Sequence, residues 1–310
     1  METPDKAHLE YHQPVMLQEC LDGLNLKPNG IYVDVTLGGG GHSRAILERL
    51  GNGGRLYGFD QDEDVRQHLP QDPRFKWMPF NFRFLRKSLR IEGITKVDGI
   101  LADLGVSSHQ LDTPSRGFSY RFNAPLDMRM NNKGELTAAD ILAEYSADQL
   151  QDIFSRYGEV RNAKTLAQTI VEQRSRKAIE TIEDLLFVMQ ACLKGDKFRY
   201  YAQVFQALRM EVNDELGALK TFLEEATTLL APGGRLVVMS YHSLEDRLVK
   251  NWLRNGCFED EPQKDSFGHF YVPMLNLTKK VVVASTEENK RNPRAHSAKL
   301  RIGERKAQNY

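Results

Sequence analysis

Apolar positions in the first hundred residues fall alternately in short unbroken runs and in helically spaced sets. Ile31-Tyr32-Val33-Asp34-Val35-Thr36 reads as a buried strand, closed by Gly38-Gly39-Gly40-Gly41. Arg44 to Leu50 has helical spacing and is stopped by Gly51-Asn52-Gly53-Gly54. Further strands are expected at Arg55–Phe59, ending in Asp60, at Phe75–Met78, and at Val97–Ala102, ending in Asp103. Strands alternating with helices predict βαβ units, right-handed crossovers and a parallel sheet. From about Asp112 to Gln206 the pattern becomes helical, as in Ala139–Tyr145 and Ala163–Val171, after a loop rich in Arg and aromatics. A long amphipathic helix is expected over Asn213–Leu230, broken by Ala231-Pro232-Gly233-Gly234. A fifth strand follows at Arg235–Tyr241. Phe270–Val272 and Lys280–Val283 are expected to close the sheet as an antiparallel hairpin. The predicted fold is α/β, a doubly wound and mostly parallel sheet. Residues 1–111 and 207–310 would form it, with 112–206 a helical insertion domain.

Composition narrows the class. The 310 residues hold 42 Lys and Arg against 42 Asp and Glu, with 41% hydrophobic and 27% charged residues, which excludes a disordered or fibrous chain. No apolar run is long enough to cross a bilayer, and the first residues lack the profile of a signal peptide. Cys20, Cys192 and Cys257 are scattered, so neither a disulfide framework nor a Cys-based zinc site is indicated. A cytoplasmic protein without a membrane is expected. His8 and His12 are four apart but have no third ligand nearby, and no metal is expected. Neutral overall charge argues against binding nucleic acid by bulk charge. Two stretches are nevertheless basic: nine Lys and Arg against three Glu between Lys279 and Lys306, and four cations among aromatics in Phe82–Arg90.

Candidate chemistry gathers at the strand ends. Strand, glycine turn, helix, second strand and terminal acid is the layout of a nucleotide-cofactor site. Asp60, about twenty residues past the glycines, is placed to accept ribose hydroxyls. His42 and Ser43 stand where a dinucleotide fingerprint wants a third glycine. Asp34 could meet a cationic ligand group or simply cap the glycine turn; spacing does not separate the two. An acid-flanked loop suits S-adenosylmethionine, which has an amino group and a sulfonium but no pyrophosphate, better than NAD. Asp103, at the expected reversal of strand order, is either a ligand contact or a helix N-cap.

The motifs, taken together, are similar to those of one family, the bacterial 16S ribosomal RNA cytosine-N4 methyltransferases. They include His12–Leu17, Asp34–Ser43, Asp98–Ser108, Gln110–Asp112, Arg116–Ser119, Pro125–Met130, Phe205–Arg209, Ser240–Arg247 and Asn292–Arg301. The resemblance implies a class I (Rossmann-like) methyltransferase using S-adenosyl-L-methionine. It implies cofactor contacts at Gly40, Gly41, His42, Asp60, Phe82, Asp103 and Gln110. The implied substrate is a cytidine in the decoding region of 16S rRNA, and the implied partner is that rRNA within the small ribosomal subunit. Two departures stand out, Tyr241 where Phe is usual and His296 where Arg is usual. The first is expected to be without consequence, the second to weaken a phosphate contact.

Transfer to an exocyclic amine needs in-line positioning, an acceptor for the amine N–H, and a route for the product's proton. Asp103 or a nearby backbone carbonyl is the candidate acceptor; were Asp103 wholly occupied by the cofactor, Asp127 or the His242–Asp246 turn would take its place. Ser243 and Asp246 also match a helix-start capping box. For RNA, Arg116, Phe118, Asp127, Arg129, His242 and Arg294 are the candidates. Aromatics alternating with arginines can stack bases and hold phosphates, or can form a half-buried strand. Two competing functions remain: an NAD(P)-dependent oxidoreductase, and a non-catalytic RNA-binding ribosome assembly factor.

Overall fold

The computed structural model describes residues 14–262, 264, 268 and 270–307. His8 and His12 therefore lie outside the described residues, as does the start of the first family motif. In chain order the elements begin with α1 (Leu17–Leu24), β1 (Ile31–Asp34), α2 (Gly41–Arg49), β2 (Arg55–Phe59), β3 (Phe75–Met78), α3 (Leu85–Ile91) and β4 (Val97–Asp103). Six helices follow: α4 (Ser108–Asp112), α5 (Ala138–Glu144), α6 (Ala147–Arg156), α7 (Ala163–Arg174), α8 (Ile182–Gln190) and α9 (Lys197–Val212). The chain continues as α10 (Glu215–Leu229), β5 (Leu230–Ser240), α11 (Ser243–Asn255), β6 (Met274–Asn276), β7 (Val282–Val283), α12 (Thr286–Arg291) and β8 (Lys299–Arg305). Two compact units result, one from residues 1–105 and 217–310, the other from Val106–Leu216.

The first unit holds a single sheet in the order β3-β2-β1-β4-β5-β8-β6, with β7 also pairing β8. β1 to β5 run parallel, and β8, β6 and β7 are antiparallel additions. Strands covered on both faces can be apolar at every position, which is why their runs stood out. Successive side chains then alternate between faces. Val33, Ile100, Leu236 and Val238 join Phe222 and Leu223 of α10 and Leu253 of α11 on one side. Tyr32, Leu101, Val237 and Met239 join Leu21 and Leu24 of α1 and Ile46 of α2 on the other. Strand order reverses between β1 and β4, so their carboxyl ends flank the crevice where such sheets bind ligands.

The expected hairpin is not present. Phe270 to Val272 is not a strand, and β6 and β7 pair with β8 rather than with each other. β8 was not anticipated because its charged residues mask its period: Arg301 is buried, but its guanidinium is matched by Asp246 at 2.6 and 3.1 Å.

The second unit packs α5 to α9 around Phe154, Leu166, Ile170, Leu185, Val204 and Leu208. Thr137–Asp140, Ser146–Gln149 and Thr181–Asp184 form capping boxes that start three of its helices. A boundary at Gln206 would cut α9, which runs unbroken to Val212; the unit extends instead from Val106 to Leu216.

Candidate active site

The first unit's chemistry lies along the carboxyl edge of β2, β1 and β4. After β1 the chain turns through Gly38 to Gly40 into α2, and Gly40, at φ 74°, occupies the left-handed region that a side chain disfavours. Gly41 opens α2, where a Cβ would collide with the ring of Pro14. At Gly39 a Cβ would meet no protein atom within 4 Å. Neither backbone conformation nor packing demands a glycine at that position. Its small size leaves space above the loop, which fits a ligand approaching the backbone there.

Asp60, just past β2, fixes this loop from across the edge. Gly38 N–H donates to its Oδ2 at 2.9 Å and Asp62 N–H donates to its Oδ1 at 2.9 Å. Each carboxylate oxygen keeps a further lone pair for an incoming hydroxyl. Burial pushes the Asp60 carboxyl up to about 6 against the two backbone donors. Phe82, beyond β3, packs edge-on against Phe222 with ring centroids 5.5 Å apart, and Asn81 beside it donates to Gln61 Oε1 at 3.1 Å.

Asp34 resolves toward the structural alternative. Only 1% of it is exposed, Ser43 Oγ donates to its Oδ2 at 2.7 Å, and Thr36 N–H donates to its Oδ1 at 3.2 Å. It ties β1, the glycine turn and α2 together, and burial raises its pKa.

Asp103 ends β4 and does not cap a helix; Ser107 caps α4. Its N–H donates to Thr36 Oγ1 at 2.7 Å, and Tyr241 Oη donates to its Oδ1 at 2.7 Å. Its Oδ2 faces His42 Nδ1 at 3.9 Å, beyond hydrogen-bonding range. His42 Nε2 lies 3.1 Å from the Val15 carbonyl oxygen, which can only accept, so Nε2 carries a proton. Burial pushes the Asp103 carboxyl up to about 6; His42 and the Tyr241 hydroxyl pull it down, and Asp34 and Glu245 push it up.

The helix following β5 starts one residue earlier than the sequence spacing indicated. His242, not Ser243, is the N-cap of α11, its Nδ1 accepting from Glu245 N–H at 3.5 Å. Glu245 lies 3.1 Å from His242 Nε2 through Oε1 and accepts Tyr241 N–H through Oε2 at 3.1 Å. Arg294 is half-buried in the turn before β8, its N–H donating to Asn292 Oδ1.

The remaining sequence candidates belong to the second unit. Gln110 is buried at the start of α4, its Oε1 accepting from Ser107 N–H at 3.0 Å. Arg116 is also buried and donates to the carbonyls of Arg129 and Met130 at 2.9 and 3.2 Å. Asp127 and Arg129 form a bidentate pair at 2.9 and 2.6 Å. Partial burial pushes Asp127 up, but the Arg129 donors outweigh it and hold the carboxyl below its usual range. Phe118 is 7% exposed, so its ring is committed to the core rather than presented to a base. Residues 118–122 include no strand, and the chain turns at Tyr120 and Arg121; Phe122 and Arg121 are the exposed members.

The model of the MraW methylase family matches residues 10–306. The chain belongs to the MraW methylase family. Among curated relatives, ribosomal RNA small subunit methyltransferase H of Parabacteroides distasonis is 54% identical over 307 residues, covering 98% of this chain and 100% of that protein. The protein of the same description from Flavobacterium psychrophilum is 54% identical over 292 residues, covering 94% and 100%. A solved putative rRNA-methylase from Clostridium thermocellum overlays with TM-score 0.44 and 11% identity over 95% of this chain and 99% of that one, too loosely to bear on function. Membership in a methylase family removes the oxidoreductase alternative, and the cofactor is S-adenosyl-L-methionine. Among the described residues, no helix is long and apolar enough to cross a membrane.

Proposed function

We propose that the protein transfers a methyl group from S-adenosyl-L-methionine to the exocyclic N4 of a cytidine in 16S rRNA of the small ribosomal subunit. The observation that carries this reading is the meeting of Asp60, the open space above Gly39 and the Asp103 carboxylate at one sheet edge of a methylase-family chain. Asp60 accepts the ribose hydroxyls through its two remaining lone pairs, Gly39 to Gly41 admit the ligand against backbone, and Phe82 supplies an apolar wall beyond β3. When bound, the cofactor supplies an electrophilic methyl on a sulfonium.

The cytosine amine is a poor nucleophile because its lone pair is spread into the ring. Asp103 Oδ2, with 24% of its side chain exposed and no hydrogen-bond donor in reach among the described residues, is placed to accept an amine N–H and localise that pair. The product's surplus proton leaves to Oδ2 or to water. The target base has to be unstacked to reach the donor. The helical unit contributes to rRNA recognition through exposed residues such as Arg121 and Phe122, with Arg116, Asp127 and Arg129 shaping the loop that bears them.

Incorporation of tritium from methyl-labelled S-adenosylmethionine tests the function. Label in the rRNA of isolated small subunits, lost in Asp60→Ala, is expected. Cofactor binding without incorporation into either subunits or naked 16S rRNA would favour a non-catalytic assembly factor instead.

A further inference from the structure

Tyr241 follows β5 and turns its ring back over the carboxyl edge of the sheet, half-buried against the α1–α2 side of the core. Two contacts fix it. Its N–H donates to Glu245 Oε2 at 3.1 Å, and Glu245, only 3% exposed, is itself held by α11. Its hydroxyl donates to Asp103 Oδ1 at 2.7 Å, across 138 positions of sequence. A phenylalanine could fill the same space but could not make the second contact. Among the described residues, Asp103 thus has one oxygen bound by a donor and one without a donor.

We propose that Tyr241 is a positioning residue for methyl transfer, its hydroxyl locking Asp103 through Oδ1 so that Oδ2 is the one acceptor presented to the reacting amine. The hydroxyl acts through Asp103 and touches no reacting atom, so the inference rests on Asp103 facing those atoms. Five groups surround that carboxylate. Asp34 at the end of β1 and Glu245 in α11 oppose its ionisation, while His42 in α2 and the Tyr241 hydroxyl favour it. Cys20 in α1 also lies within the field of Asp103 and is buried as a thiol. Tyr241 is therefore, with His42, one of the described neighbours that favour the charged acceptor. Its own proton is held firmly, by burial and then by Asp103, so the hydroxyl stays a donor.

Tyr241→Phe keeps the ring and deletes the donor. A hydrogen bond to a charged group is strong enough for its loss to raise the Asp103 midpoint by about one pH unit. Carboxyl carbon-13 NMR of aspartate-labelled full-length protein reads that midpoint without turnover. Single-turnover methyl transfer to small subunits across pH 5 to 9 reads the consequence. The acid limb of the rate should move up by about one unit, a roughly tenfold loss near pH 5.5, with KM for the RNA unchanged. In an Asp103→Asn background, Tyr241→Phe should cost nothing more.

A Tyr241→Phe protein whose Asp103 midpoint and pH–rate profile superpose on wild type overturns the inference, as does a loss that adds to that of Asp103→Asn. If Asp103→Asn itself has wild-type turnover and cofactor affinity, the role given to Asp103 fails first. Melting temperatures within a few degrees of wild type separate either result from misfolding.

Discussion

Protonation of Asp60 should release the cofactor. Burial places the Asp60 midpoint near 6. The carboxylate already accepts from Gly38 and Asp62 N–H, so ribose hydroxyls depend on its two remaining lone pairs. At pH 5 about one-tenth of the group is ionised, and affinity for S-adenosylhomocysteine should be roughly tenfold weaker than at pH 8 through this group alone. Asp103 titrates at a similar midpoint and would steepen the fall. Asp60→Ala removes two charge-assisted hydrogen bonds of about 1.5–3 kcal/mol each, which corresponds to about 10²- to 10⁴-fold in affinity. It should also leave only the shallower pH dependence due to Asp103. Isothermal calorimetry from pH 5 to 8, in buffers of differing ionisation enthalpy, measures both affinity and proton uptake. Wild-type affinity that is flat across this range, together with a less than fivefold loss in Asp60→Ala, would refute the reasoning.

Three further outcomes concern stability. Ser43→Ala strips a donor from the buried Asp34 carboxylate and should cost about 1–3 kcal/mol in urea denaturation, most at neutral pH and less as Asp34 protonates; no change at pH 7 would contradict the tie between β1 and α2. The raised Asp60 midpoint means the free folded protein binds a proton more tightly than the unfolded chain between pH ~4 and ~6, so this group's penalty grows as pH rises through that window and is constant above it. Asp60→Asn should accordingly gain about 2 kcal/mol relative to wild type on going from pH 4.5 to 7; a pH-independent difference would count against the burial. Gly117→Ala sits at φ 71° with its Cβ 2.5 Å from the Pro125 carbonyl oxygen, and should lose about 2–4 kcal/mol in thermal melts, where wild-type stability would be the contrary result.

The parallel strands were legible because burial on both faces leaves an unbroken apolar run, and three acids at their ends pointed to the ligand edge. β8 was hidden: Arg301 and Glu304 look like surface residues until Asp246 and Arg235 are seen to pair with them. Spacing also misassigned the α11 cap by one residue, since Ser243 is as good a cap type as His242, and only the backbone decides. Asp127 and Arg129 looked like free functional groups because a bidentate pair closed two residues apart in a loop has no periodic signature. Tyr241 was the subtlest case. Phenylalanine and tyrosine fill the same hydrophobic position, so the departure looked harmless; the partner of its hydroxyl lies on β4, and only the sheet brings the two together.

The most direct measurement is mass spectrometry of nucleosides from small-subunit 16S rRNA incubated with the protein and S-adenosylmethionine bearing a deuterated methyl group. N4-methylcytidine carrying the deuterated methyl is the predicted product, and it should disappear with Asp60→Ala. Label on C5 of cytidine, on a ribose hydroxyl, or on no nucleoside at all would contradict the proposed transfer.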